Sequence, residues 1–134
     1  MRSVFADTSG LIALRDSGDA GHAAATEWLR QALSKGGLRL ILTNYVLAEV
    51  HAFFCRIPAS AWAYAERLRT DPRFQVIRAT GADEAAAWAL LRKSSDRDYS
   101  FVDAVSFVVM RRLHLGEALA LDRHFKQAGF RVLL

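Results

Sequence analysis

Apolar residues in this chain fall into short unbroken runs separated by longer stretches of helical periodicity. The short runs are Val4-Phe5-Ala6, Leu38 to Leu42, Phe74 to Ile77, Ala118 to Leu121 and Phe130 to Leu133. Runs of this length without polar alternation predict strands buried on both faces. Between them the pattern predicts helices. Ser9 to Arg15 is a short one, followed by the loop Asp16 to Gly21 (DSGDAG). His22 to Lys35 is rich in Ala and Leu and stops at Gly36-Gly37. Asn44 to Arg56 is helical, and Pro58 suits the first turn of another helix reaching Thr70. Thr80 and Asp83 have capping-box spacing and open a helix that runs to Lys93. After the polar loop Ser95 to Tyr99 comes an apolar helix, Ser100 to His114, and later a short one, Arg123 to Ala128. Strands that alternate with helices in this way imply an α/β fold: a central parallel sheet of about five strands with helices on both faces. At 134 residues the chain is expected to form a single domain over residues 1–134.

Four acids interrupt this apolar pattern. Asp7 lies in VFADTSGLIAL, Glu49 in TNYVLAEVHAFF, Asp103 in YSFVDAVSFVVM and Asp122 in EALALDRHF. A carboxylate in such surroundings must be paired, placed at the end of an element, or bound to a cation. In open parallel sheets, sites form beyond the carboxyl ends of the strands, where strand order reverses. Asp7 follows the first strand and Asp122 the fourth, while Glu49 and Asp103 lie in the early turns of helices leaving that same edge. The four can therefore converge.

Helix capping is the competing explanation. Asp7 and Asp122 each precede a helix, and Ser100-x-x-Asp103 has capping-box spacing. A cap contributes about 1 kcal/mol, whereas burying an unpaired carboxylate costs several. Asp103 sits in a helix that is apolar nearly all round, and Glu49 lies on or beside the apolar stripe of its own helix. If both are buried, capping is too weak to account for them, leaving a cation or an arginine as partner. Oxygen-only donors suit Mg²⁺ or Mn²⁺, whereas zinc sites usually recruit His or Cys. Two such ions roughly 4 Å apart would activate a water and stabilise the leaving oxygen of a phosphodiester.

The remaining composition narrows this picture. Net charge is +4, and every basic residue except Lys35, Lys93 and Lys126 is arginine, which grips phosphate bidentately and stacks on bases. Arg15, Arg97, Arg111, Arg112 and Arg123 are the candidate contacts to a nucleic-acid backbone. The single Cys55 excludes an internal disulfide and a Cys-based zinc cluster, and its HAFFCRI context suggests a buried thiol. The four histidines share no ligand spacing and read as surface or packing residues. Trp28, Trp62 and Trp88 read as core or interface anchors, and AWAYAERL with Phe53 and Phe54 could form an apolar groove or an ordinary helix-packing face. No GxGxxG follows the first strand and no GxxxxGK[ST] occurs, so dinucleotide and P-loop sites lack their fingerprints. A phosphoaspartate enzyme would want a lysine beside one of the acids, and none is there. The N-terminus lacks the apolar stretch of a secretory leader, so a cytoplasmic location is expected.

The segments VFADTSGLIAL, TNYVLAEVHAFF and DRDYSFVDAVSFVVMRRLHLGEALALDRHFKQAGF together resemble the PIN-domain ribonucleases of the VapC toxin type, in the family's order and over almost the whole chain. The resemblance implies a three-layer α/β/α PIN-like fold with Asp7, Glu49, Asp103 and Asp122 as an acidic quartet for catalysis and metal binding. It implies Mg²⁺- or Mn²⁺-dependent cleavage of RNA, a homodimer, and neutralisation by a cognate VapB-type antitoxin. Thr8 and Asn44 match polar positions beside the acids. Asp98 is an extra acid at the loop edge, and spacing leaves Asp96 and Asp98 open as alternatives to, or helpers of, Asp103. The alternative class is a non-catalytic RNA- or partner-binding module on the same fold, although clustered negative charge does nothing for a binder of polyanions.

Overall fold

A computed structural model describes residues 1–134. Five strands form one sheet: β1 (Arg2–Ala6), β2 (Leu38–Thr43), β3 (Phe74–Ile77), β4 (Glu117–Leu119) and β5 (Arg131–Val132). Their order is β3-β2-β1-β4-β5, and every neighbouring pair is parallel. Seven helices cover it on both faces: α1 (Thr8–Arg15), α2 (His22–Ser34), α3 (Asn44–Phe54), α4 (Pro58–Thr70), α5 (Gly81–Lys93), α6 (Phe101–Arg112) and α7 (Arg123–Gln127). The architecture is the α/β/α arrangement that the unbroken apolar runs imply, and none of the helices is long and apolar enough to cross a membrane.

The central strand supplies the reason for this order. Val4, Phe5 and Ala6 of β1 have no exposed surface, so β1 must be flanked by strands and covered on both faces. Fully burying side chains such as Val4 and Phe5 stabilises by about 1.5–3 kcal/mol each. Phe107 and Met110 of α6, Val46 and Val50 of α3, Leu11 of α1 and Phe125 of α7 join the same core. A smaller cluster of Ala87, Ala104, Val105 and Val109 seals α5 against α6.

β1 connects to β2 on one side and pairs with β4 on the other, so strand order reverses between β1 and β4. Their carboxyl ends open the crevice that such a switch point leaves. β4 is shorter than its apolar run. Ala118 and Leu119 pair with Phe5 and Ala6, and β1 offers no strand partner beyond that level. The Asp7 amide closes the ladder on the Leu119 carbonyl at 3.1 Å, so Ala120 and Leu121 leave the sheet.

One expectation about packing does not hold. Cys55 is exposed, because HAFFCRI runs off the end of α3 into the turn before α4. Trp62 and Trp88 are 63% and 60% exposed and belong to no core, while Trp28 packs partly buried beneath Arg2.

Candidate metal centre

Asp7, Asp103 and Asp122 are delivered to the β1/β4 edge by element boundaries, whereas Glu49 stands inside α3. Asp7 is the N-cap of α1: its Oδ2 accepts from the Ser9 hydroxyl at 2.9 Å and, more loosely, from the Ser9 amide at 3.4 Å. Ser9 in turn accepts from the Leu121 amide at 3.0 Å, tying the Asp7 turn to the Asp122 turn. Asp103 closes the capping box of α6, with Oδ2 accepting from the Ser100 amide at 3.0 Å. Asp122 caps α7, with Oδ1 accepting from the His124 amide at 2.9 Å. Glu49 accepts from the Thr8 hydroxyl at 2.6 Å, which anchors it to the residue after Asp7.

Gly10 allows α1 to come this close to β4. A Cβ there would lie 2.1 Å from the Leu119 carbonyl oxygen, so any other residue would push the Asp7 turn away from the strand that leads to Asp122.

Capping and cation binding therefore coexist. The hydrogen bonds just described engage one oxygen of each carboxylate: Oδ2 of Asp7 and Asp103, Oδ1 of Asp122 and Oε1 of Glu49. The second oxygen of each acid is left over for another partner. Asp7 is buried, and burial pushes its carboxyl up to about 6, against the lowering effect of the Ser9 hydroxyl and the first-turn amides. The nearby Asp103 charge adds to the rise.

Glu49 departs from expectation. It is exposed, because Val46 and Val50 form the buried stripe of α3 and Glu49 stands on its flank. The desolvation argument holds for Asp103, which is 8% exposed, and has no force for Glu49, whose place is set by Thr8 instead.

His124 also overturns its reading as a surface or packing residue. Its Nδ1 lies 3.0 Å from Asp122 and 3.1 Å from Asp103, while Nε2 meets Asp98 at 2.8 Å. The ligand atoms of Asp103, Asp122 and His124 lie within 4.8 Å of one another. Burial pulls the imidazole pKa down, but the Asp98 hydrogen bond and the charges of Asp122, Asp103 and Asp98 outweigh it, so the net shift is upward. Nδ1 is buried yet has no hydrogen-bond partner of acceptable geometry. The signal in the sequence was the Asp122-x-His124 spacing across a helix N-cap, where a side chain two residues on folds back over the capping carboxylate. Ser9 was missed as well, although its position two residues after an N-cap Asp marks it as the capped group.

The other candidates scatter. Asp98 is exposed and reaches the acids only through His124, while also pairing with Arg123 at 3.1 Å; Asp96 is exposed in the same loop. Asn44 accepts from the Ala79 amide at 2.9 Å, a link between α3 and the turn after β3. Arg15 ends α1 and lies over the Tyr64 ring, and Arg97 is exposed beside Asp98. Arg111 and Arg112 occupy the last turn of α6, about 12 Å or more along the axis from Asp103. Arg112 grips buried Asp83 through two hydrogen bonds, and Arg111 caps the Ala128 carbonyl.

The carboxylates fit a hard divalent cation: Asp103 and Asp122 converge at one sheet edge with the Asp7 charge close by, while the His124 nitrogen, a softer donor, stands between two of them as their ion-pair partner. A five-stranded parallel sheet with acids at the β1/β4 switch point agrees with the PIN-like fold that the sequence resembles. No protein-family model matches the chain. Over 130 residues, spanning 95% of each chain, it is 38% identical to the 23S rRNA-specific endonuclease VapC20 of Mycobacterium tuberculosis strains CDC 1551 / Oshkosh and ATCC 25618 / H37Rv. The crystal structure of M. tuberculosis VapC20, described as a Sarcin-Ricin loop cleaving toxin, superposes with a TM-score of 0.84 at 36% identity, covering 95% of both chains. FitAcB from Neisseria gonorrhoeae shares the fold, with a TM-score of 0.68 at 18% identity and 96% and 95% coverage. The chain belongs to the VapC family of endoribonuclease toxins.

Proposed function

We propose that this toxin hydrolyses a phosphodiester of a structured RNA, a ribosomal stem–loop being the first substrate to try, with Mg²⁺ or Mn²⁺ held by Asp7, Asp103 and Asp122 and with Glu49 completing the set. The observation that carries the reading is the convergence of Asp103 and Asp122 with Asp7 close by, each with one oxygen committed to the fold and one left over, and Glu49 tied to the residue after Asp7. A divalent cation bound there supplies Lewis-acid polarisation of the phosphoryl group and lowers the pKa of its bound water. The chain does the rest. Buried Asp7 and Asp103 offer poorly solvated carboxylates, which bind a cation more strongly than exposed ones. Glu49, exposed and steadied by Thr8, orients the attacking water and accepts its proton. His124 fixes Asp103 and Asp122 relative to each other, and Asp98 holds the imidazole from outside.

In this reading the protein acts in the cytoplasm as a homodimer and is silenced by a VapB-type antitoxin. Two uncovered apolar surfaces support two protein partners: Trp88 stacked on Phe101 at 4.2 Å, and Phe53 with Ile57. Incubation of the purified protein with a ribosomal stem–loop RNA tests the chemistry, with Mg²⁺, with EDTA, and with Asp7→Asn. Cleavage is expected only from the parent with metal. Equal cleavage by Asp7→Asn would remove the acids from the mechanism.

A further inference from the structure

We infer that the cleft between α7 and β5 is a subsite for the RNA strand next to the scissile phosphate, with Lys126, Arg131 and Arg123 as its phosphate contacts. The inference rests on the RNA-cleaving reading and extends it to residues that no sequence signal singled out, Lys126 and Arg131.

The cleft measures about 400 Å³ and opens directly onto Asp122, which forms part of its wall. That is the lower range for sites that hold a small ligand, enough for one nucleotide. Leu121 and Phe130 line it with apolar surface, and the three cations stand around them. None of these cations is firmly committed. Lys126 has no ion pair, Arg131 approaches Glu117 only at 3.8 Å with its side chain 78% exposed, and Arg123 pairs with an equally exposed Asp98. Exposed pairs of this kind contribute about 0–1 kcal/mol, so phosphate oxygens can replace the carboxylates at little cost. The arrangement suits a nucleotide: backbone charge on the cationic rim, ribose or base against Leu121 and Phe130.

Position favours RNA over an acidic segment of a protein partner. The cleft shares Asp122 with the acid cluster, so a strand with a phosphate at that cluster has its neighbouring nucleotide within reach of the cleft. Arg111 and Arg112, which the sequence put forward equally, are occupied elsewhere in the fold.

The test compares the parent with Lys126→Ala/Arg131→Ala. Binding of a fluorescent stem–loop RNA with single-stranded flanks is measured against salt, in Ca²⁺ to suppress turnover, and cleavage is measured with Mg²⁺. Loss of two phosphate contacts should weaken binding roughly tenfold at low salt and flatten the log Kd–log salt slope by about 1.4, or 0.7 per contact on a single strand. KM for the flanked RNA should rise with kcat unchanged, while an RNA trimmed at the flanks should be cut equally by both proteins. An unchanged slope and KM overturns the inference. So does weakened binding of a polyglutamate peptide with RNA binding intact, which would assign the cleft to a protein partner. If the parent binds RNA with the steeper slope but never cleaves it, the enzymatic reading fails while the subsite stands.

Discussion

Gly10→Ala should disable this protein through a single methyl group. An ideal Cβ at position 10 lies 2.1 Å from the Leu119 carbonyl oxygen, 2.8 Å from its carbonyl carbon and 3.0 Å from its Cγ. The obstacle is backbone at the end of β4, so no side-chain rotation relieves it. Restoring ordinary contact requires α1 and the end of β4 to separate by roughly 1 Å or more. Overpacking of this sort costs about 1–3 kcal/mol. The same carbonyl accepts from the Asp7 amide at 3.1 Å, and loosening that buried bond adds about 1–3 kcal/mol. A total of about 2–6 kcal/mol corresponds to a fall in Tm of roughly 10 °C or more for a chain of this size. The separation also moves Asp7 relative to Asp122, and a misplacement of about 1 Å can cost on the order of 100-fold in rate. Differential scanning calorimetry and RNA cleavage at a temperature where the variant is still folded read the two effects separately. Gly81→Ala is the matched control: its Cβ meets nothing within 4 Å, and Ala in the first turn of α5 should be neutral or slightly stabilising. If Gly10→Ala melts and cleaves like Gly81→Ala, the close approach of α1 to β4 does not hold the site together.

Other consequences follow from the same geometry. Saturating Mn²⁺ or Mg²⁺ should raise Tm, by about 2.7 kcal/mol of stability at a hundredfold excess over Kd, and Asp103→Asn should abolish the rise; a shift that survives the variant places the ion elsewhere. Asp83→Asn keeps the amide bond of the α5 cap but removes the charge gripped by Arg112, at a cost of about 2 kcal/mol by chemical denaturation at pH 7. The Arg112 hydrogen bonds hold the Asp83 carboxyl below the usual carboxylate range, against the opposing effect of burial. Its contribution is therefore complete above the unfolded-state value near pH 4 and fades as pH falls through the lower folded value. The stability gap between parent and Asp83→Asn should narrow on acidification toward pH 3, and a gap independent of pH would contradict the pairing. Thr8→Val frees Glu49 without opening a cavity. Cleavage should fall about tenfold in kcat with Tm nearly unchanged, and Thr8→Ser should restore it; loss of stability instead of rate would make Thr8 merely structural.

The placement of Asp7, Asp103 and Asp122 was legible along the chain because these residues sit at element boundaries, where local chemistry is explicit. The capping boxes Thr80–Asp83 and Ser100–Asp103 both form as their spacing predicts, and Asp7 and Asp122 are found at N-caps. The facing of side chains within helices was less legible. Glu49 and Val50 are adjacent in sequence, yet one is exposed and the other buried, since the angle at which α3 lies on the sheet selects its buried stripe.

The sequence alone determined the element types, their order and the family of acids, because apolar periodicity and caps depend on residues only a few positions apart. Only the tertiary structure decided which groups meet. The order β3-β2-β1-β4-β5 brings the ends of β1 and β4 together across more than a hundred residues, and that pairing ties the Asp7 turn to the Asp122 turn with the Asp103 charge nearby. It also draws His124 between two carboxylates and commits Arg112 to Asp83. These outcomes depend on distances between segments remote in sequence, and no local propensity encodes such distances.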